Sequence, residues 1–209
     1  PELVETDLKN GLAAYSFIDG EKLGSESLGP GHLAQVIEFI RQINQDEIRF
    51  SERGKKLPVA AEACFSFEDH FRIVDRRIQQ FKAADRSDPG DRPGIDFMVR
   101  EIGPVWDRLK NRQRTGKSSE KRPGTRQCLI SPSDFGFHNI LSRKKDKRLV
   151  FIDFEYAGWD DPAKLICDFF CQVEVPVPLE WFEPVVKAVT DLVTVEPGFE
   201  EKLDVLMQV

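Results

Sequence analysis

Asp134, Asn139 and Asp153 are the residues of this chain whose types and spacing could do chemistry. The first two lie in S-P-S-D-F-G-F-H-N-I-L (131–141) and the third in L-V-F-I-D-F-E-Y-A-G-W (149–159). Each segment joins apolar, strand-forming residues to an acid or an amide at a loop. Phosphoryl transfer uses that combination: one carboxylate orients the attacking hydroxyl, while an amide and a second carboxylate hold Mg²⁺ against the phosphates. The D-x₄-N spacing lets one loop turn its Asp to an acceptor and its Asn to the metal, and a hairpin can return Asp153 to the same ion. Alone, Asp134 would read as a turn residue serving nearby backbone donors, and Asn139 as an ordinary turn Asn. Together with Asp153 at this spacing they point to a site. Asp153 closes an apolar run, where an unpaired carboxylate is costly and a metal would relieve the cost.

The neighbouring polar residues carry weaker signals. Glu155 by itself reads as a strand-end salt-bridge partner. His138 is expected to face solvent from its loop, and Asp161 to cap a helix. Tyr156 and Trp159 suit an acceptor pocket or the core, and the sequence leaves both open.

The elements that must position these residues follow from apolar periodicity. Residues 12–18 read as a strand closed by a turn at Asp19-Gly20. Leu33, Val36, Ile37 and Ile40 mark one face of a helix from near Pro30 to about Gln42. Ser66 and Asp69 resemble a capping pair ahead of a stripe of Phe67, Phe71, Val74, Ile78 and Phe81. After a Pro/Gly-rich turn at 88–94 a further helix carries Ile95, Met98, Val99, Ile102, Trp106 and Leu109, and Pro104 should kink it. The basic stretch 112–126 reads as a solvated connection and less readily as an anion-binding loop. Residues 128–131 and 149–152 read as buried strands, with an exposed turn at 143–148. Asp161-Pro162 starts a helix with Leu165, Ile166, Phe169 and Phe170 on its buried side. Pro178 opens another, carrying Phe182, Val185, Val186, Val189 and Val193. A last amphipathic segment follows Pro197, with Phe199, Leu203, Leu206 and Met207.

The 209 residues, 40% of them hydrophobic, are enough for one substantial core. No apolar run approaches the roughly 20 residues of a membrane span, and the first residues lack a signal-peptide pattern. Cys64, Cys128, Cys167 and Cys171 form no CxxC pair, so neither zinc nor a disulfide framework is expected. Cys167 and Cys171, one helical turn apart, read as two small core residues. A reducing, cytoplasmic setting is the simplest expectation. The net charge of −6 argues against general nucleic-acid binding. No membrane partner is expected, and nothing in the residues fixes an oligomeric state.

Residues 131–170 resemble the aminoglycoside phosphotransferase and choline kinase-like family of small-molecule kinases. Its pattern is roughly H-G-D-x₄-N-hydrophobic, a short hairpin, then I-D-[FW]-E-x-[AS]. Asp134 and Asn139 match the first motif, Asp153-Phe154-Glu155-Tyr156-Ala157 the second, and Asp161-Pro162 the helix entry after it. The resemblance implies Asp134 as catalytic base, Asn139 and Asp153 as Mg²⁺ ligands, and Glu155 as part of the signature. Upstream, Y-S-F-I-D-G-E-K-L (15–23) looks like the hinge strand, whose backbone at Ser16, Phe17 and Ile18 would bind the adenine edge of ATP. The chain departs from the pattern at Pro132-Ser133, which stand for His-Gly, and at Leu165, where an Asp is common. No Gly-rich loop and no strand Lys paired to a helix Glu is found.

The resemblance therefore implies an α+β, mainly α-helical fold: the C-terminal lobe of a protein kinase-like fold, with a small β-hairpin carrying the active-site loops. Residues 1–23 would form the hinge region, 24–125 a helical part, 126–160 the catalytic and metal-binding loops, and 161–209 the C-terminal helices. The nucleotide-covering N-lobe is expected to lie outside this sequence, leaving the piece weakly active or inactive alone. The implied activity is transfer of the ATP γ-phosphate to a hydroxyl of an aminoglycoside, sugar or choline-like alcohol. The rival is a kinase-derived binding or regulatory module without transfer. A protein kinase is disfavoured because D-F-G and A-P-E elements are missing.

Overall fold

In the computed structural model, which describes residues 2–113 and 124–208, the strand expected over 12–18 is shorter: it covers 12–15, and 16–19 belong to no strand. Strand β1 (Leu3–Asp7) pairs antiparallel with β2 (Leu12–Tyr15), with Thr6 opposite Ala13. Strand β3 (Gly20–Lys22) pairs instead with a later segment, Gly20 opposite Arg143 and Lys22 opposite Leu141. Asp19-Gly20 is therefore not the expected closing turn. The Asp19 carbonyl accepts from the Lys144 amide at 3.0 Å, and its carboxylate pairs with Lys144 Nζ at 2.9 Å. These two contacts draw the chain onward into the second sheet.

Helix α1 (Pro30–Ile43) follows the expected periodicity, with Val36 and Ile40 fully buried and Pro30 at its first position. The short α2 (Asp46–Arg49) comes next, then α3 (Phe67–Ala83), whose Ser66 cap accepts from the Asp69 amide at 3.1 Å. The expected kink at Pro104 takes a specific form. Helix α4 (Arg92–Phe97) passes through a π-helical turn (Met98–Ile102) into α5 (Gly103–Gln113). The Gly103 amide donates to the Met98 carbonyl five residues back. Proline lacks a donor and its ring crowds the carbonyl four residues earlier, so the wider turn relieves both conflicts. Of the basic stretch 112–126, positions 114–123 lie outside the described residues.

The two expected buried strands belong to different sheets. Strand β4 (Leu129–Ser131) is buried throughout, whereas β5 (Ile140–Arg143) and β6 (Leu149–Phe151) form the hairpin that also receives β3. The partner of β4 is β7 (Gly158–Asp160), which periodicity did not reveal. Gly158 is required there because an added Cβ would lie 2.4 Å from the Pro58 carbonyl oxygen. Asn44, fully buried after α1, clamps β4: its Oδ1 accepts from the Ile130 amide at 2.7 Å and its Nδ2 donates to the Ile130 carbonyl at 2.9 Å.

Three helices close the chain: α6 (Pro162–Cys171), α7 (Phe182–Thr190) and α8 (Phe199–Leu206). Helix α7 ends before Val193, which packs partly buried beside the core instead of continuing the helical stripe. The main core joins Val36 and Ile40 to Leu165, Ile166, Phe169, Val185, Val189, Leu203 and Leu206. A separate cluster of Phe71, Ile78 and Trp106 holds α3 to α5. Cys167 is buried as expected, but Cys171 turns outward. Among the described residues no helix is long and apolar enough to cross a membrane.

Candidate active site

The Asp134 loop is held by its apolar neighbours. In D-F-G-F-H-N the residues Phe135 and Phe137 are almost wholly buried, while the Asp134 side chain remains 59% exposed. Phe135 stacks on Phe169 of α6 at 5.2 Å between ring centroids, and Phe137 meets Phe169 at 5.9 Å and Trp181 at 6.1 Å. Each buried Phe contributes roughly 1.5–3 kcal/mol of anchoring. The backbone just before is constrained too. Ser133 adopts a left-handed conformation (φ 76°), and its amide donates to the buried Ser131 hydroxyl at 2.9 Å. Pro132-Ser133 thus shapes the entry to Asp134 by a local turn.

The β5–β6 hairpin sets the second loop beside the first. Ile140 pairs with Phe151, and one step beyond the ladder the Ile152 amide donates to the Asn139 carbonyl at 3.0 Å. Asp153 follows at once, also left-handed (φ 66°). Such backbone is uncommon outside glycine and persists where its surroundings impose it. Phe39 of α1 staples both loops: its ring stacks on Phe151 at 3.8 Å and lies 6.1 Å from both Phe135 and Phe154. Tyr156 reports their common side. Its hydroxyl is raised above the ordinary tyrosine value by the Glu155 carboxylate, with smaller contributions from Asp153 and Asp134.

Two expectations about these residues need correction. Asp153 is exposed, so burial imposes no cost on its carboxylate; the unusual feature is its backbone. His138 does not face solvent. Its side chain is 11% exposed, and Nε2 stands 3.2 Å from Asp134 Oδ1. Gly136 makes room for it, since a Cβ there would lie 2.8 Å from His138 Nδ1.

Asn139 points its amide nitrogen inward, toward the Asp134 carbonyl at 3.1 Å and Asp134 Oδ2 at 3.3 Å. Its Oδ1 accepts no hydrogen bond among the described residues, and the Asp153 carboxylate meets neither a donor nor a cation there. These are hard oxygen donors of the kind Mg²⁺ takes, and Mg²⁺ commonly draws its remaining ligands from water and phosphate. In keeping with so sparse a set, no three His, Cys, Asp or Glu side chains converge as a metal site among the described residues.

Cavities open on either side of these loops. One of about 770 Å³ is lined by Ser16, Phe17, Ile18, Leu141, Ile152 and Asp153, among others. The Ser16 amide is already committed to the Glu2 carbonyl at 2.8 Å, whereas the backbone of Phe17 and Ile18 makes no hydrogen bond among the described residues. The other cavity, about 620 Å³, is walled by Glu62, Arg77, Asp134, Tyr156, Lys164 and Asp168, with Ser133 at its edge. Tyr156 therefore belongs to a pocket wall. Trp159 sits half-buried in β7, its Nε1 donating to the Gly54 carbonyl at 3.0 Å. Glu155 lines the larger cavity.

Helix α6 supplies the rest. Asp161 caps it, accepting from the Ala163 and Lys164 amides at 2.9 and 3.4 Å, and pairs with Lys202 Nζ at 2.5 Å. Leu165 is a core residue, and the helix carboxylate facing the cavity is Asp168. Lys164 Nζ holds both oxygens of Asp168 at 2.6 Å. Burial raises Asp168 from the ordinary carboxylate range while Lys164 pulls against it. Sequence reasoning missed this pair, although Lys and Asp four apart just after a helix cap is a readable signal. Glu62 and Arg77, 15 residues apart, gave none.

No protein-family profile matches this sequence. The search of curated proteins found no match. Among solved structures, the crystal structure of a choline/ethanolamine kinase family protein from Mesorhizobium loti superimposes with a TM-score of 0.55 at 18% identity, over 99% of this chain and 60% of that one. The chain thus has a kinase-like fold and spans about 60% of the length of that neighbour.

Proposed function

We propose that this chain is the helical, C-terminal lobe of a small-molecule kinase that moves the ATP γ-phosphate to a hydroxyl of its acceptor. The observation that carries the reading is the placement of Asp134, Asn139 and Asp153 on two adjoining loops between an apolar cavity and a charged one. Adenine would lie in the apolar cavity against the free backbone of Phe17 and Ile18, with Ser16 beside them. The acceptor would lie in the charged cavity with its hydroxyl on Asp134. The hydroxyl oxygen attacks the γ-phosphorus, the bond to the β–γ bridging oxygen breaks, ADP leaves, and the hydroxyl proton passes to Asp134. Bound through Asn139 and Asp153, Mg²⁺ would neutralise phosphate charge. Glu155 is a possible further member of this site, next to Asp153. Its place beside the Tyr156 hydroxyl supports a second role in orienting the ring that walls the acceptor cavity.

Incubation of the chain, together with any upstream coding sequence, with Mg²⁺, ATP and a panel of hydroxylated metabolites tests this. Acceptor-dependent ADP release that disappears in Asp134→Asn is the expected result. Nucleotide binding without release for any acceptor would favour a kinase-derived binding module.

A further inference from the structure

We propose that Phe39 is a positioning residue for Asp153: its ring grips the chain on both sides of that aspartate and holds the left-handed backbone that presents the carboxylate. Calling the carboxylate a Mg²⁺ ligand rests on the phosphotransfer reading, but the grip itself does not. Aspartate enters positive φ most readily where its short side chain bonds the nearby backbone. The Asp153 carboxylate meets no donor among the described residues, so its own side chain does not hold φ at 66°. Backbone hydrogen bonds do not hold it either. The Ile152 amide donates to the Asn139 carbonyl at 3.0 Å, and the Tyr156 carbonyl accepts from the Ala61 amide at 3.1 Å. Between those two ties, residues 153–155 make no backbone bond to another segment among the described residues; the Phe154 carbonyl accepts only from Ala157 within the loop, at 3.0 Å.

Phe39 supplies the constraint that the hydrogen bonds leave out. Its ring stacks on Phe151, two residues before Asp153, at 3.8 Å and an interplanar angle of 8°. It meets Phe154, the residue after Asp153, at 6.1 Å and 27°. A separation of 3.8 Å is carbon–carbon contact, so Phe151 has no room to move toward α1. The contact with Phe154 falls in the range that aromatic pairs favour. With a ring held on each side, the backbone between them has little freedom to relax, and a strained residue persists where its surroundings over-determine it. The same ring lies 6.1 Å from Phe135, the residue after Asp134. Each of the two aspartates is therefore followed by a phenylalanine that meets Phe39. Only a flat side chain can face Phe151 and Phe154 at once. Phe39 itself is partly buried, at the edge of the face that buries Val36 and Ile40.

Denaturant unfolding of Asp153→Gly and Asp153→Ala, each made in the wild-type and the Phe39→Leu chain, tests the grip. Glycine adopts positive φ freely and alanine does not. With Phe39 present, the alanine variant should be the less stable, by about fivefold in the unfolding equilibrium constant. In the Phe39→Leu chain the two should agree within about twofold, because the backbone at 153 is then free to relax. Phe39→Met, a second ring-free variant should leucine fold poorly, should close the gap in the same way. Phe39→Tyr, which keeps the ring face, should preserve it. A merely structural Phe39 would lower the stability of every Phe39→Leu chain and leave the glycine–alanine gap intact. That result would overturn the proposal, as would the absence of a gap in the wild-type chain. Calorimetry with ATP, with and without Mg²⁺, then reads the consequence for the site. Phe39→Leu should weaken the Mg²⁺-dependent binding about tenfold. Leu203→Ala, a core substitution outside the aromatic stack, should leave it unchanged. Equal Mg²⁺-dependent affinity in Phe39→Leu and wild type would count against the positioning role. A chain that binds no ATP in any form removes the phosphotransfer reading, while a gap that closes without Phe39 still establishes the grip on Asp153.

Discussion

His138 Nε2 lies 3.2 Å from Asp134 Oδ1, reaching the carboxylate from four residues further along the same loop. The imidazole thus reaches the carboxylate from the C-terminal side of the loop, while Pro132-Ser133 occupy its N-terminal side. On the phosphotransfer reading, a proton on Nε2 donated to Asp134 would fix the rotation of that carboxylate, which would make His138 a positioning residue. His138→Ala should lower kcat roughly tenfold with KM for nucleotide unchanged, because misplacement of a reacting group acts on the transition state. His138→Gln, which can still donate, should recover part of the loss. A purely structural role would instead show as a lowered Tm with kcat per folded molecule preserved.

Asp134 itself is exposed and makes few structural contacts beyond its loop. Asp134→Asn should reduce kcat by roughly 10²–10⁴ while leaving Tm near that of the wild type. Transfer at the wild-type rate in this variant would remove Asp134 from the mechanism.

Asp153 combines a left-handed backbone with a carboxylate that meets no donor or cation among the described residues, so two substitutions can separate its roles. Both Asp153→Gly and Asp153→Ala should abolish Mg²⁺-dependent nucleotide binding, measured by calorimetry with and without the ion. Their stabilities should diverge, with Ala less stable by about 1 kcal/mol, since only Gly adopts positive φ without a Cβ penalty. Equal stabilities would show that the backbone relaxes when the side chain is lost.

Asn44 serves both the amide and the carbonyl of Ile130 from a fully buried position. Asn44→Leu should cost about 2–4 kcal/mol in denaturant unfolding, because each stranded buried group costs about 1–3 kcal/mol. β4 ends at Ser131 and leads through Pro132 to Ser133 and Asp134, so transfer should fall alongside stability.

Asp160 gives a pH signature. Its Oδ2 is buried without a hydrogen-bond partner among the described residues, and burial pushes the carboxyl up from 3.8 to about 6, against the pull of Lys164. The folded state holds a proton that the unfolded chain has released. That contribution is complete below the unfolded value of 3.8 and is lost as pH rises through about 6. Wild-type stability should therefore fall relative to Asp160→Asn between about pH 4 and about pH 7, by on the order of 2–3 kcal/mol. A gap that stays constant with pH would assign the titration elsewhere.

Local spacing determined much of this protein. The period of Leu33, Val36, Ile37 and Ile40 specified α1, Ser66 and Asp69 the start of α3, and Asp161-Pro162 the start of α6, because caps and apolar stripes act within a few residues. The D-x₄-N and I-D-F-E segments likewise marked the two loops, since each motif is contiguous. Only tertiary structure decided how those loops are held and what surrounds them. The Phe39 staple, the buried approach of His138, and the Glu62–Arg77 wall arise from packing between distant segments. β7 and the separate strand Gly20–Lys22, which pairs with 141–143, were equally hidden, because strand pairing is set by partners far along the chain and leaves no period of its own.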